Sequence, residues 1–214
     1  MKNLSLSILG LFLSCALIAQ TNLVPNHNFQ KITKKVKEKG QINMAAPWIS
    51  PTLSAADLFL KSAKGTEVAV PENAYGSDEP MSGDNYAGIM AYSYKGKFPR
   101  TYLQVKLTEQ LKEGEEYCVT FHVSLSDLSK YATNYIGAYL SSNEVSANNN
   151  DVLQFEPQIL SRRQTVYETQ FYWTPICAKF IAKGGEEYLT IGNFTTEEKL
   201  KLNKVKRPQG FNSP

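Results

Sequence analysis

Histidine is nearly missing from this 214-residue chain: His27 and His122 are the only two, and cysteine is limited to three residues. Zinc centres need His and Cys in tight spacing, and the two histidines are far apart in strand-like contexts, so neither a metal centre nor a histidine base is indicated. Long apolar runs are also lacking. Beyond Ala19 nothing approaches the ~20 residues of a membrane helix. Charge of one sign is scarce as well, with 23 Lys and Arg against 20 Asp and Glu. The two basic clusters, Lys34-Lys35-Lys37-Lys39 and Lys199 to Arg207, are interleaved with Glu or polar residues and lack aromatic platforms between the cations. That pattern describes solvated loops and excludes a nucleic-acid stripe. Glycoside hydrolysis requires two carboxylates facing each other about 5–10 Å apart. Asp78, Glu79 and Asp84 share one loop, a common composition for loops of exported proteins, so the chain is not expected to be an enzyme.

The N-terminus has Lys2, an apolar run from Leu4 to Ala19, and then polar Gln20-Thr21-Asn22. A positive start, an apolar core too short to span a bilayer and a small residue at the boundary describe a secretory signal peptide over 1–19. Cys15 raises lipidation as a rival, but Phe12-Leu13-Ser14 lacks the Leu three residues before the cysteine that such a signal uses. The expected destination is the periplasm, the outer membrane or the cell surface. About 190 residues remain, enough for one core, and they divide into a β-domain over 20–196 and a polar tail over 197–214.

Tyr117 to Leu125 carries the clearest structural signal. Tyr117, Val119, Phe121, Val123 and Leu125 share one parity, and Cys118, Thr120, His122 and Ser124 the other, which marks a strand with one buried face. Tyr86 to Tyr92, Tyr102 to Leu107, Tyr135 to Leu140 and Tyr188 to Phe194 read as further strands. Thr169 to Ile181 reads as a long one broken at Pro175. Asn22 to Phe29 suits an edge strand, Lys31 to Gly40 a mobile loop, and Lys183-Gly184-Gly185-Glu186 a hairpin turn. No strand pattern follows Phe194. Short strands with regular turn signals mean an all-β, two-sheet antiparallel sandwich. Cys118 and Cys177 both fall on outward parities. Placed on different sheets, they would stand too far apart for a disulfide.

Five blocks in order carry a resemblance: Asn22 to Phe29, Trp48 to Phe59, Ser82 to Ile89, Val123 to Asp127 with Tyr131-Ala132, and Gly184 to Phe194. Together they resemble the N-terminal extracytoplasmic domain of Bacteroidota OmpA-family outer-membrane proteins, over nearly the whole mature chain. The resemblance implies a galactose-binding-like jelly roll that precedes a peptidoglycan-binding domain. Two departures stand out. Gln30 replaces the family's usual Glu, and the aromatic final strand with paired aspartates is missing, as in a fragment. In carbohydrate-binding relatives such acidic positions hold a structural calcium, which takes six to eight oxygens. With those carboxylates gone no cofactor is expected.

Recognition by loops on a rigid scaffold is the better-supported activity. Tyr92, Tyr94 and Phe98 alternate with Lys95, Lys97 and Arg100 in one connection, and Asp127 and Tyr131 follow in the next long loop. Aromatic faces stack on sugar rings, and Arg and Asp pair with hydroxyls. The bland alternative is that Tyr92 and Tyr102 simply pack while Asp127 closes a turn. The expected function is a non-catalytic cell-envelope domain that contacts glycans or envelope proteins through its end loops. The alternatives are an accessory module of a secreted enzyme and an adhesin.

Overall fold

Period-2 alternation is realised where the sequence shows it most clearly. On the strand Glu116–Val123, Tyr117, Val119 and Phe121 are half-buried while Cys118 and Thr120 are exposed. The computed structural model describes residues 21–161 and 164–206; the expected signal peptide with its Cys15, and the Pro208-Gln209-Gly210 turn, lie outside them. In chain order the strands are β1 (Asp57–Leu60), β2 (Glu72–Asn73), β3 (Gly76–Ser77), β4 (Asn85–Gly88), β5 (Leu103–Lys106), β6 (Glu116–Val123), β7 (Tyr131–Thr133), β8 (Ile136–Ser141), β9 (Ile159–Leu160), β10 (Thr174–Ile181), β11 (Tyr188–Asn193) and β12 (Leu202–Lys204). The helical content among the described residues is three single 3-10 turns.

The chain is an all-β sandwich. A four-stranded sheet runs β5-β11-β8-β9, and antiparallel pairs β6–β10 and β1–β4 pack on the same core. Leu103 and Val105 of β5, Leu189 and Ile191 of β11, and Ile136, Ala138 and Leu140 of β8 point into it. Leu58 of β1, Ile176 of β10 and Trp48 meet them there. Because side chains alternate along a strand, the opposite face of the sheet carries Gln104, Thr190 and Gly192. That face is covered too. Tyr102, Leu153 and Phe194 form a second buried cluster, flanked by Tyr139, Val145 and Phe155.

Two glutamines hold this outer cover in place. The Gln104 amide donates to Val145 O and accepts from Val145 N–H, both at 2.9 Å, so a side chain substitutes for a strand partner. Gln158 does the same for Leu140, again at 2.9 Å in both directions. Sheet edges need such protection.

Several sequence expectations are corrected. Asn22 to Phe29 is a run of turns and not an edge strand. Asn26 adopts a left-handed φ of 47°, and its side-chain amide donates to the carbonyls of Lys31, Ala45 and Ala46, satisfying backbone groups without a ladder. The Lys31 to Gly40 loop is anchored by Val36, which is fully buried. Pro175 does not break β10; it is the second residue of the strand, where a missing N–H is tolerated. The Lys183 to Glu186 turn is no hairpin, since β10 pairs with β6 whereas β11 pairs with β5 and β8. Its glycines, at φ 91° and 85°, carry the chain from one sheet to the other. The stretch after Phe194 does contain a strand, β12, which pairs with β7. Finally, Cys118 and Cys177 lie on one sheet, not two, and their Sγ atoms are 3.8 Å apart. Parity assigned both faces correctly, but it carries no information on strand partners.

Among the described glycines, Gly192 leaves the least room: an added Cβ would overlap the Tyr102 ring. Gly192→Ala is therefore expected to destabilise the domain by about 2 kcal/mol or more through overpacking. A lowered denaturant midpoint with an unchanged slope would report it.

Candidate functional site

Three of the sequence-predicted site residues come together. Tyr131 begins β7. Tyr94 stacks on it with rings 7° from parallel and centroids 5.8 Å apart, and Tyr92 meets it edge-on at 5.7 Å. Both geometries suit the aromatic quadrupole. The connection that carries Tyr92 and Tyr94 folds into a 3-10 turn, Tyr94–Gly96, with Lys95 in the left-handed region at φ 55°. The Ser93 hydroxyl accepts the Phe98 N–H and closes the loop. Tyr94 and Phe98 are 56 % and 54 % exposed, so each ring projects from a constrained turn. Lys95 and Lys97 place their ammonium groups 5.5 and 5.3 Å from the Tyr94 and Phe98 ring centres.

Arg100 takes no part in that surface. It is buried, and its guanidinium donates to the Asn193 carbonyl, the Asn193 side-chain oxygen and the Thr195 carbonyl. Burial pulls its pKa down, opposed by the nearby Tyr102, Glu197 and Tyr92. Its work is to clamp the segment that follows β11. The clamp continues through Asn193, which donates to Asn134 O, and through Asn134, whose side chain accepts the Lys201 N–H. From there the chain enters β12, where Lys204 faces Tyr131. The tail thus runs beside the strand that carries Tyr131. No periodicity marked it, because a three-residue exposed strand has no buried face to pattern.

Asp127 is likewise internal, at 2 % exposure. One oxygen accepts the Ser77 N–H at 2.9 Å, and the other is buried with no partner. Gly76 is needed here because a Cβ would stand 2.6 Å from that of Asp127. Beside it Asp78, also buried, accepts from the Ser124 hydroxyl at 3.1 Å. Burial and the charge of Asp127 push Asp78 up to about 6, against the lowering effect of Ser124. Burial and the Asp78 charge also raise the neighbouring Tyr86 hydroxyl, which accepts from the Asn73 amide. These carboxylates are packed inside the wall of the domain. Neither presents an edge to a ligand, and among the described residues no group of three His, Cys, Asp or Glu gathers to hold a metal. At Gln30 the side-chain amide donates back to Asn28 O, so the position offers no carboxylate for a calcium.

Two further features went unnoticed in the sequence. Phe171, at a left-handed φ of 65°, and Tyr172 are 58 % and 74 % exposed, just before the partly buried Trp173. The signal was available as three consecutive aromatics in a polar setting. A groove of about 420 Å³ runs past Tyr135, Gln154, Phe155, Glu156, Thr196 and Lys199. It joins the outer cover to the start of the tail and is lined by three aromatic residues, Tyr135, Phe155 and Phe194, and several polar groups.

The Asp78 pair has a measurable consequence. A carboxyl whose pKa is higher folded than unfolded binds its proton more tightly in the native state. Stability is then greatest below the ordinary value of 3.8 and falls as pH rises through about 6. Asp78→Asn keeps the Ser124 contact and removes the charge. It is expected to be more stable than the parent by about 1–2 kcal/mol at pH 8, with the gap closing by pH 4. Urea melts at both values check this, and a gap independent of pH would refute the account. Compared with protein-family models, curated proteins and solved structures, the chain matches none.

Proposed function

We propose that this chain is a non-catalytic cell-envelope domain that recognises glycans through the Tyr92, Tyr94, Phe98 and Tyr131 surface. The observation that carries the reading is the stacked cluster of Tyr92, Tyr94 and Tyr131, together with the half-exposed rings of Tyr94 and Phe98, each beside a lysine. A ring held by stacking loses little freedom when a sugar settles on it, so less of the contact energy is spent on ordering. Lysines beside the rings suit glycans that carry carboxylates or phosphates. The burial of Asp78 and Asp127 keeps that acidic pair from contact with a substrate, which favours binding over hydrolysis.

The same reading takes the domain to be exported to the periplasm, the outer membrane or the cell surface, as the apolar N-terminus suggests. It also takes the sandwich to be a galactose-binding-like jelly roll of the OmpA-family kind. Among the described residues no helix is long and apolar enough to cross a membrane. Arg100 and Asp127 enter the proposal as supports of the loops, not as ligand contacts.

A glycan array that includes peptidoglycan fragments and acidic polysaccharides tests the reading. Tyr94→Ala, at a residue more than half exposed, should leave the circular dichroism and melting profile intact. It should also weaken the best hits about tenfold, the equivalent of ~1.4 kcal/mol. No binding to any glycan by the parent would remove the carbohydrate reading.

A further inference from the structure

We propose that Cys118 and Cys177 form a thiol–disulfide exchange site that closes reversibly across the β6–β10 ladder. The two cysteines are diagonal neighbours in the register, with Cys118 opposite Lys179 and Cys177 opposite Thr120. Both are exposed on the outer face of a two-stranded ladder, and their sulfurs are 3.8 Å apart. Diagonal positions stand farther apart than directly opposite ones, so bringing the sulfurs from 3.8 Å to the ~2.05 Å of a disulfide takes a local closing of the two-stranded ladder as well as rotation about the Cα–Cβ bonds.

The surroundings distinguish the two thiols. The Cys118 sulfur lies 3.8 Å from that of Cys177 and 3.9 Å from the Thr120 hydroxyl, and hydrogen bonding from Thr120 and Cys118 together with the Lys179 ammonium lowers the Cys177 pKa. The Lys179 ammonium itself is held by Glu116 at 2.8 Å. Cys177 is therefore the attacking thiolate and Cys118 the resolving thiol. The co-reactant is a disulfide, either a small molecule or a partner protein. The Cys177 thiolate attacks one sulfur of that disulfide, forms a mixed disulfide and expels one thiolate. Cys118, on losing its proton to solvent, then attacks the Cys177 sulfur and expels the second thiolate. The protein loses two electrons and two protons, and the external disulfide becomes two thiols. The new bond would join residues 59 apart in sequence and close a loop that contains β7 with Tyr131.

The full chain equilibrated with mixtures of reduced and oxidised glutathione, quenched by acid, alkylated and mapped by mass spectrometry tests this. The expected product is a Cys118–Cys177 linked peptide pair, lighter by two hydrogens, whose fraction follows the glutathione ratio and reverses in excess thiol. Cys118→Ser should retain a glutathionyl adduct on Cys177 at least tenfold above the parent, because no resolving thiol remains. Three results on the parent alone would overturn the proposal: both cysteines alkylatable at every ratio, stable glutathionyl adducts without the linked pair, or disulfides only between chains.

Discussion

A strand covered on both faces leaves water no access to its backbone or its side chains, and β11 is in that position. Its core side is closed by Leu189 and Ile191, and its outer side by Tyr102 lying against Gly192. Everything that caps the outer side follows from that contact. The Tyr102 hydroxyl accepts the Leu153 N–H and donates to the Asn193 carbonyl, tying the cover to the end of the strand. Next to it, Gln104 is wholly buried, donating to Val145 O and accepting from Val145 N–H and the Thr190 hydroxyl. A buried amide left without partners is costly, so this pairing fixes where the 143–155 segment must lie. The same segment holds the N-terminal half, since Ala147 donates to Pro51 O and the Asn150 side chain accepts from Ser54.

Much of the β-architecture was legible from alternation, and its gaps have identifiable causes. Tyr117 to Leu125 showed the best period-2 pattern because one of its faces is exposed, yet its inward residues are only half-buried. The strand nearest the centre, β11, has a weaker alternation because both faces are apolar or small. Pairing was not legible at all. Parity says which way a side chain points and nothing about which strand lies alongside, so the two cysteines were assigned to different sheets and the Gly184-Gly185 turn to a hairpin. The N-terminal turns were misread for another reason: an asparagine side chain can replace a ladder, and no periodicity announces it.

The candidate surface was legible in part. Tyr92, Tyr94 and Phe98 were identifiable as a cluster because local spacing places them on one connection, and Tyr131 because its loop follows a confident strand. Arg100 and Asp127 belong to the same segments but face inward. A charged residue in a loop reads as exposed from sequence, whereas here Arg100 finds its acceptors 93 and 95 residues away. Long-range satisfaction of that kind is what sequence inspection lacks.

The β7–β12 register joins residues 69 to 73 apart in sequence, whereas the β5–β11 register joins residues 82 to 88 apart, so the costlier loop closure belongs to the core. β12, exposed along its length and paired with β7, can open locally while the core ladders stay closed.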